Sequence, residues 1–153
     1  KGGGKPLLLK LSPDNSDDEV IASAQMALRK GIDGFVATNT TLHRPVPRNA
    51  ASRSVFAESG GLSGRPLQAR SNEIIRLLYE ETQSTVPIVG VGGIDSVDTA
   101  WQAVSSGASL LQLYSALVFN GPSVVSGIVK GLKKRVKENG FLGIEEAVGL
   151  DIT

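Results

Sequence analysis

Four stretches of this chain place polar side chains or paired glycines within or just after short apolar runs, and each has a chemistry it could serve. Lys10 is set in the run Pro6-Leu7-Leu8-Leu9-Lys10-Leu11, where an ammonium group needs a compensating negative partner. It suits a cation placed under an anionic or electron-rich ligand; the alternative is an edge lysine snorkelling out to water. Thr38-Asn39-Thr40-Thr41 offers one amide and three hydroxyls at the end of a second run. Such neutral donors and acceptors suit the recognition of a small polar heterocycle rather than acid–base work, and the alternative is a local turn that satisfies its own backbone. Gly92-Gly93 follows a third run and precedes a capped helix, an arrangement that offers backbone amides to an anion. A tight turn explains one of these glycines more easily than two. Tyr114-Ser115 ends a fourth run, where further amides can converge on the same phosphate.

Other residues are less pointed. Gly60-Gly61-Leu62-Ser63-Gly64-Arg65-Pro66 is a dense run of flexible positions that allows backbone to approach a ligand closely. It lies in a long polar segment, 39–66, with no apolar period, and a loop of that length in a compact domain is usually functional or mobile. His43 in the same segment is expected to be solvent-exposed, and Trp101 to be core packing. The cluster Lys130, Lys133, Lys134, Arg135 and Lys137 occupies the C-terminal half of a helix, where cations favour the dipole. It is expected to be a solvated face, with binding to a membrane surface or an acidic partner as the alternative.

Composition narrows the chemistry. The chain has 153 residues, no cysteine and one histidine. A disulfide framework, a Cys-ligated zinc site, an iron–sulfur cluster and a thiol nucleophile are excluded, and a His-rich metal centre is not expected. With 16 basic and 15 acidic side chains, nothing points to nucleic acid as a partner. No apolar run approaches the roughly 20 residues of a membrane span. Glycine is the excess: 18 residues, against a usual share of about 7%.

The elements that must position these residues alternate. Strands are expected at 6–11, 34–38, 86–91 and 109–114, each apolar enough to be buried on both faces. Helices are expected from Ser16, which has Glu19 three residues on as a capping box, to Gly31; over 67–82; from Ser96 to Gly107; and from about 122 to Asn139, with a short tail helix at 144–148. The opening KGGGK has no start methionine and no capping signal and is taken as a loop of a longer chain. Strands alternating with helices mean a parallel α/β sheet. A doubly wound nucleotide-binding sheet needs G-x-G-x-x-G after its first strand, whereas the glycine pair here follows the third. A β/α barrel puts its phosphate site after the last two strands, and four units are half of the eight that make one.

Five ordered strings carry a family resemblance: LLLKLSPD (7–14), TNTTLHRP (38–45), ESGGLSGRPL (58–67), PIVGVGGIDS (87–96) and GASLLQLYSALVFNGP (107–122). Over about residues 5–149 the chain resembles the C-terminal half of the dihydroorotate dehydrogenases, and TNTT, GGLSG and QLYSALVF resemble their quinone-dependent, membrane-associated class. The resemblance implies strands 5 to 8, with their helices, of a (β/α)8 TIM barrel that binds FMN. It implies oxidation of dihydroorotate to orotate in pyrimidine synthesis, with ubiquinone or menaquinone as final acceptor. Position by position, it implies that Lys10, Thr38, Gly64, Gly92, Gly93, Tyr114 and Ser115 contact FMN, and that Asn39 and Thr40 hold orotate.

The same resemblance implies that the serine base, the first four strands and the helices of the quinone tunnel lie upstream, so this segment by itself is expected to be inactive and to need the N-terminal half. Peripheral attachment to a mitochondrial inner membrane or a bacterial cytoplasmic membrane would come through that half. Two other readings stay open: a different flavin barrel acting on dihydropyrimidines, and a non-catalytic half barrel that only binds phosphate.

Overall fold

The computed structural model describes residues 4–47 and 49–152; Lys1 to Gly3 of the opening KGGGK lie outside them. Strands β1 (Leu8–Leu11), β2 (Gly34–Ala37), β3 (Ile88–Val91) and β4 (Leu110–Gln112) form one sheet. Helices α1 (Asp17–Arg29), α3 (Gln68–Thr82) and α4 (Val97–Ser105) connect or follow them, and α5 (Ser115–Asn120) and α6 (Ser123–Glu138) come after β4. All three strand pairings are parallel, and the spatial order β1-β2-β3-β4 is the chain order. A doubly wound sheet reverses its strand order at a switch point. No reversal occurs here, and the sheet is four successive units of a β/α barrel.

The register explains which residues reach the core. Leu9 and Leu11 of β1 stand in line with Phe35 and Ala37 of β2, and these with Ile88 and Gly90 of β3. That face meets Val20 and Ala24 of α1, Ile74, Ile75 and Leu78 of α3, and Ala100 and Ala103 of α4, all buried. Each large aliphatic side chain here contributes about 1.5–3 kcal/mol by leaving water. Gly90 is small because a Cβ there would sit 2.9 Å from the Cβ of Ala108 and 3.1 Å from Ile75.

The opposite face carries Leu8, Lys10, Val36, Val89, Leu110 and Gln112. Leu8 is 37% and Leu110 59% exposed, so the expectation that every strand is buried on both faces does not hold for β1 and β4. The helices cover one face only, and among the described residues no second layer covers the other. This is the face that points into the centre of a closed barrel.

The capping box of α1 forms as its sequence predicts: the Ser16 hydroxyl accepts from the Glu19 amide, and the Glu19 carboxylate accepts from the Ser16 amide at 2.8 Å. Three details differ from expectation. The segment 39–66 contains a short helix α2 (Ala50–Phe56), capped by Asn49 and Ser52, which buries none of its residues. A helix, α5, starts at Ser115, ahead of the one expected from about 122. Trp101 is only half-buried, because it lies beneath the Arg135 guanidinium, 5.4 Å from the ring centroid, instead of in the core. Among the described residues no helix is long and apolar enough to cross a membrane.

Candidate functional site

Parallel strands that leave the sheet side by side bring their C-terminal ends together, and that is where the polar residues of this chain meet. Lys10 and Gln112 rise from the open sheet face, while Thr38, Asn39 and Thr40 follow β2, Gly92 and Gly93 follow β3, and Tyr114 and Ser115 follow β4. Together with Ser63 and Gly64 from the long segment, they line one cleft of about 370 Å³. All nine residues predicted as contacts, Lys10, Thr38, Asn39, Thr40, Gly64, Gly92, Gly93, Tyr114 and Ser115, are in its wall. Among the described residues that line it none is acidic, and Lys10 is the one cation. An ammonium with hydroxyl, amide and backbone donors and no carboxylate is a donor set for an anionic, acceptor-rich ligand.

The local structure refines several of these residues. Thr38 is 2% exposed. Its hydroxyl lies 3.0 Å from the Asn39 carbonyl, to which it can donate, and 3.0 Å from the hydroxyl of Ser71 on α3. Ser71, also buried, donates to the Val91 carbonyl at 3.2 Å, and the Thr38 amide donates to the same carbonyl at 2.7 Å. The side chain of Thr38 is therefore part of the wall's framework, so its local-turn role operates alongside any contact with a ligand.

Both glycines of the pair have a packing reason of their own, contrary to the expectation that a tight turn accounts for only one. Gly92 has φ +136° and its Cβ would lie 2.2 Å from Ser71 Oγ; Gly93 has φ +70° and its Cβ would lie 2.6 Å from Gln68 Cβ. Three of the amides around the start of α4 are taken by side chains of the same turn. The Thr99 amide donates to Ser96 Oγ, and the Asp95 and Ser96 amides donate to Thr99 Oγ1. The Gly92–Gly93 stretch, rather than the first turn of α4, is what faces the cleft.

On the other side of that stretch the long segment meets β4's end. Ser115 Oγ donates to Ser63 Oγ at 2.7 Å, and a Cβ on Gly64 would stand 3.7 Å from Ser115. Gly64 itself has φ +83°, which a side chain rarely adopts. Neither Ser63 nor Ser71 is predicted as a contact from the sequence: Ser63 belongs to the glycine-rich run beside Gly64, whereas Ser71 is one hydroxyl in an amphipathic helix and carries no local signal. His43 is 85% exposed, as expected of it, with Nε2 4.0 Å from Asp14.

A second cleft, of about 490 Å³, lies behind the Thr38–Thr41 wall and is lined by Asp14, Thr41, His43, Arg44 and Arg70 among others. Burial alone would raise the Asp14 pKa. The amide of Leu42, the hydroxyl of Thr41 and the nearby charges of His43 and Arg44 outweigh it and hold the carboxyl below its ordinary value. No cluster of three or more His, Cys, Asp or Glu that could hold a metal occurs among the described residues.

Comparison with known proteins sets this cleft in context. The family model for dihydroorotate dehydrogenase matches residues 3–136. The chain is 46% identical over 149 residues to a dihydroorotate dehydrogenase (quinone) of Synechococcus elongatus, covering 95% of this chain and 39% of that protein. It is 45% identical over 152 residues to the mitochondrial dihydroorotate dehydrogenase (quinone) of Mus musculus, covering 99% of this chain and 38% of the relative. The crystal structure of the Eimeria tenella dihydroorotate dehydrogenase in complex with ferulenol superposes with a TM-score of 0.87 at 35% identity, covering 99% of this chain and 40% of that one. The chain thus spans about 40% of the length of the relatives it matches. A match to the family model through all four strands, with the cleft at their C-terminal ends, shows that this chain belongs to the dihydroorotate dehydrogenase family.

Proposed function

We propose that this chain is the cofactor-holding half of an FMN-dependent, quinone-reducing dihydroorotate dehydrogenase, acting in pyrimidine synthesis. The observation that carries the reading is the convergence of nine residues from separate segments on one cleft whose described lining holds a single cation and no acid. FMN, when bound, supplies the hydride acceptor for a dihydropyrimidine ring. The donor set fits it: Gly64, Gly92, Gly93, Tyr114 and Ser115 surround the end of the cleft suited to a phosphate, and Lys10 stands on the sheet face suited to an electron-rich ring.

In this reading the chain's own residues bind and orient. Lys10 places positive charge where electron density accumulates on reduction, which lowers the barrier because the charge is already in position. Asn39 and Thr40 would hydrogen-bond the pyrimidine and orient it in the cleft. The remaining strands close the open sheet face and bring the serine that takes the substrate proton, together with the quinone tunnel and the attachment to the membrane. The quinone class is supported by the cyanobacterial and mouse relatives, both dihydroorotate dehydrogenases (quinone).

The test is a steady-state assay of the holoenzyme containing this chain, with dihydroorotate as donor and either a quinone or NAD as acceptor. Turnover with quinone and none with NAD is expected. Turnover that requires NAD, or none with dihydroorotate, overturns the reading.

A further inference from the structure

The segment between β2 and α3 is fastened at its base, and the fastening bears directly on Asn39 and Thr40. Thr41 and Leu62 form an antiparallel bridge, with the Leu62 amide donating to the Thr41 carbonyl at 2.7 Å and the Thr41 amide donating to the Leu62 carbonyl at 3.1 Å. Arg44 reaches over the same base, donating from Nη1 to the Thr41 carbonyl at 3.0 Å and from Nη2 to the Gly60 carbonyl at 2.5 Å. From behind, the Asp14 carboxylate accepts from the Thr41 hydroxyl and from the Leu42 amide at 2.8 Å. The Asn39 amide in turn donates to the Leu11 carbonyl at 2.8 Å.

The two residues of the substrate wall are therefore held at both ends by the exit of β1: at Asn39 through Leu11, and just beyond Thr40 through Asp14. Thr41 is 7% exposed, so the hydroxyl end of the Asp14–Thr41 bond is buried, while the carboxylate end borders the second cleft. Asp14 itself lines the cleft behind the wall and not the one in front. That placement suits an anionic substrate: a carboxylate in the front cleft would repel it, whereas one behind the wall supplies charge-assisted bonds to the wall and spends its charge there.

We propose that Asp14 is a positioning residue for pyrimidine binding, setting the orientation of Asn39 and Thr40 through Thr41 and Leu42. The inference rests on the reading of Asn39 and Thr40 as the orotate-binding wall. Replacing Asp14 with Ala removes both acceptors. Asp14→Asn keeps an oxygen for the Leu42 amide and an NH2 for the Thr41 hydroxyl, so it rescues most of the geometry. Thr41→Val removes the donor from the other side with little change of shape and serves where the alanine variant does not fold.

The experiment measures orotate affinity by perturbation of the flavin spectrum, and FMN affinity by flavin fluorescence, in the holoenzyme that contains this chain. Orotate affinity is expected to fall about tenfold in Asp14→Ala and Thr41→Val. It is expected to recover most of that loss in Asp14→Asn, with FMN affinity within about twofold of wild type throughout, because the phosphate end of the cleft is built from other segments. Wild-type enzyme that binds orotate normally, with both disruptive variants binding it equally well, overturns the role of Asp14 alone. Parallel losses of orotate and FMN affinity also overturn it, since they mean that Asp14 supports the fold at large. Wild-type enzyme that binds FMN but no orotate overturns the substrate reading, and this role with it.

Discussion

The hydroxyls of Thr38 and Ser71 lie 3.0 Å apart, and through them the ends of β2 and β3 are fastened to one turn of α3. The same Ser71 Oγ stands where a Cβ on Gly92 would be, 2.2 Å away. One buried serine thus sets the spacing between the substrate wall after β2 and the glycine stretch after β3. It touches neither proposed ligand and fixes the distance between their sites.

Removing that hydroxyl should cost stability without unfolding the protein. In Ser71→Ala the Thr38 hydroxyl keeps the Asn39 carbonyl, and the Val91 carbonyl keeps the Thr38 amide, so no buried group is orphaned. The expected loss is about 1 kcal/mol in urea unfolding. A loss beyond about 3 kcal/mol would mean that the hydroxyl pair does more than the bonds just named account for.

Gly61 offers a steric probe of the substrate wall. Its backbone is compatible with alanine, but a Cβ would lie 1.8 Å from Thr40 Oγ1, so Gly61→Ala must displace Thr40. Misplacing a positioning group by about 1 Å can cost on the order of a hundredfold. Orotate affinity is expected to fall at least about tenfold in titration while FMN affinity holds; equal orotate affinity would take Thr40 out of the binding wall.

What the sequence reveals here follows the range of each interaction. The capping box of Ser16 and Glu19 and the αL stop at Gly31 are local, and both are legible. Eight of the nine residues predicted for the cleft stand on or just after strands and were legible because the strand ends of successive parallel units converge, whereas Gly64 was legible only through the family resemblance. The capped helix α2 was not, since a helix that buries nothing has no apolar period to detect. Nor was α5, whose six residues are too few to show one. Asp14 and Ser71 act on partners 27 and 33 residues away, so only the folded chain reveals them. The open face of β1 and β4 was missed for a different reason: the apolar residues that predict burial are present, and the layer that would bury them lies outside these four units.

The carboxylate of Asp14 predicts an acid dependence with a definite sign. Its folded pKa lies below the ordinary 3.8, so its bonds to Thr41 and Leu42 contribute in full above that value and are lost as pH falls through the lower folded one. The stability difference between wild type and Asp14→Asn should be flat above about pH 4 and close at more acid pH. Unfolding midpoints measured across that range check it, and a gap that persists in acid would show that the difference between the two proteins does not come from the charge of Asp14.

Lys10 is the one cation, with no acid beside it, among the described residues that line the cleft. The most direct test is the anaerobic rate at which dihydroorotate bleaches the bound flavin in the holoenzyme containing this chain, compared between wild type and Lys10→Ala. Rapid bleaching is expected in wild type and a rate lower by about a hundredfold in the variant, the scale for loss of one preorganised charge at a reacting group. Equal rates in the two proteins, or no bleaching of the wild type by dihydroorotate, would contradict that expectation.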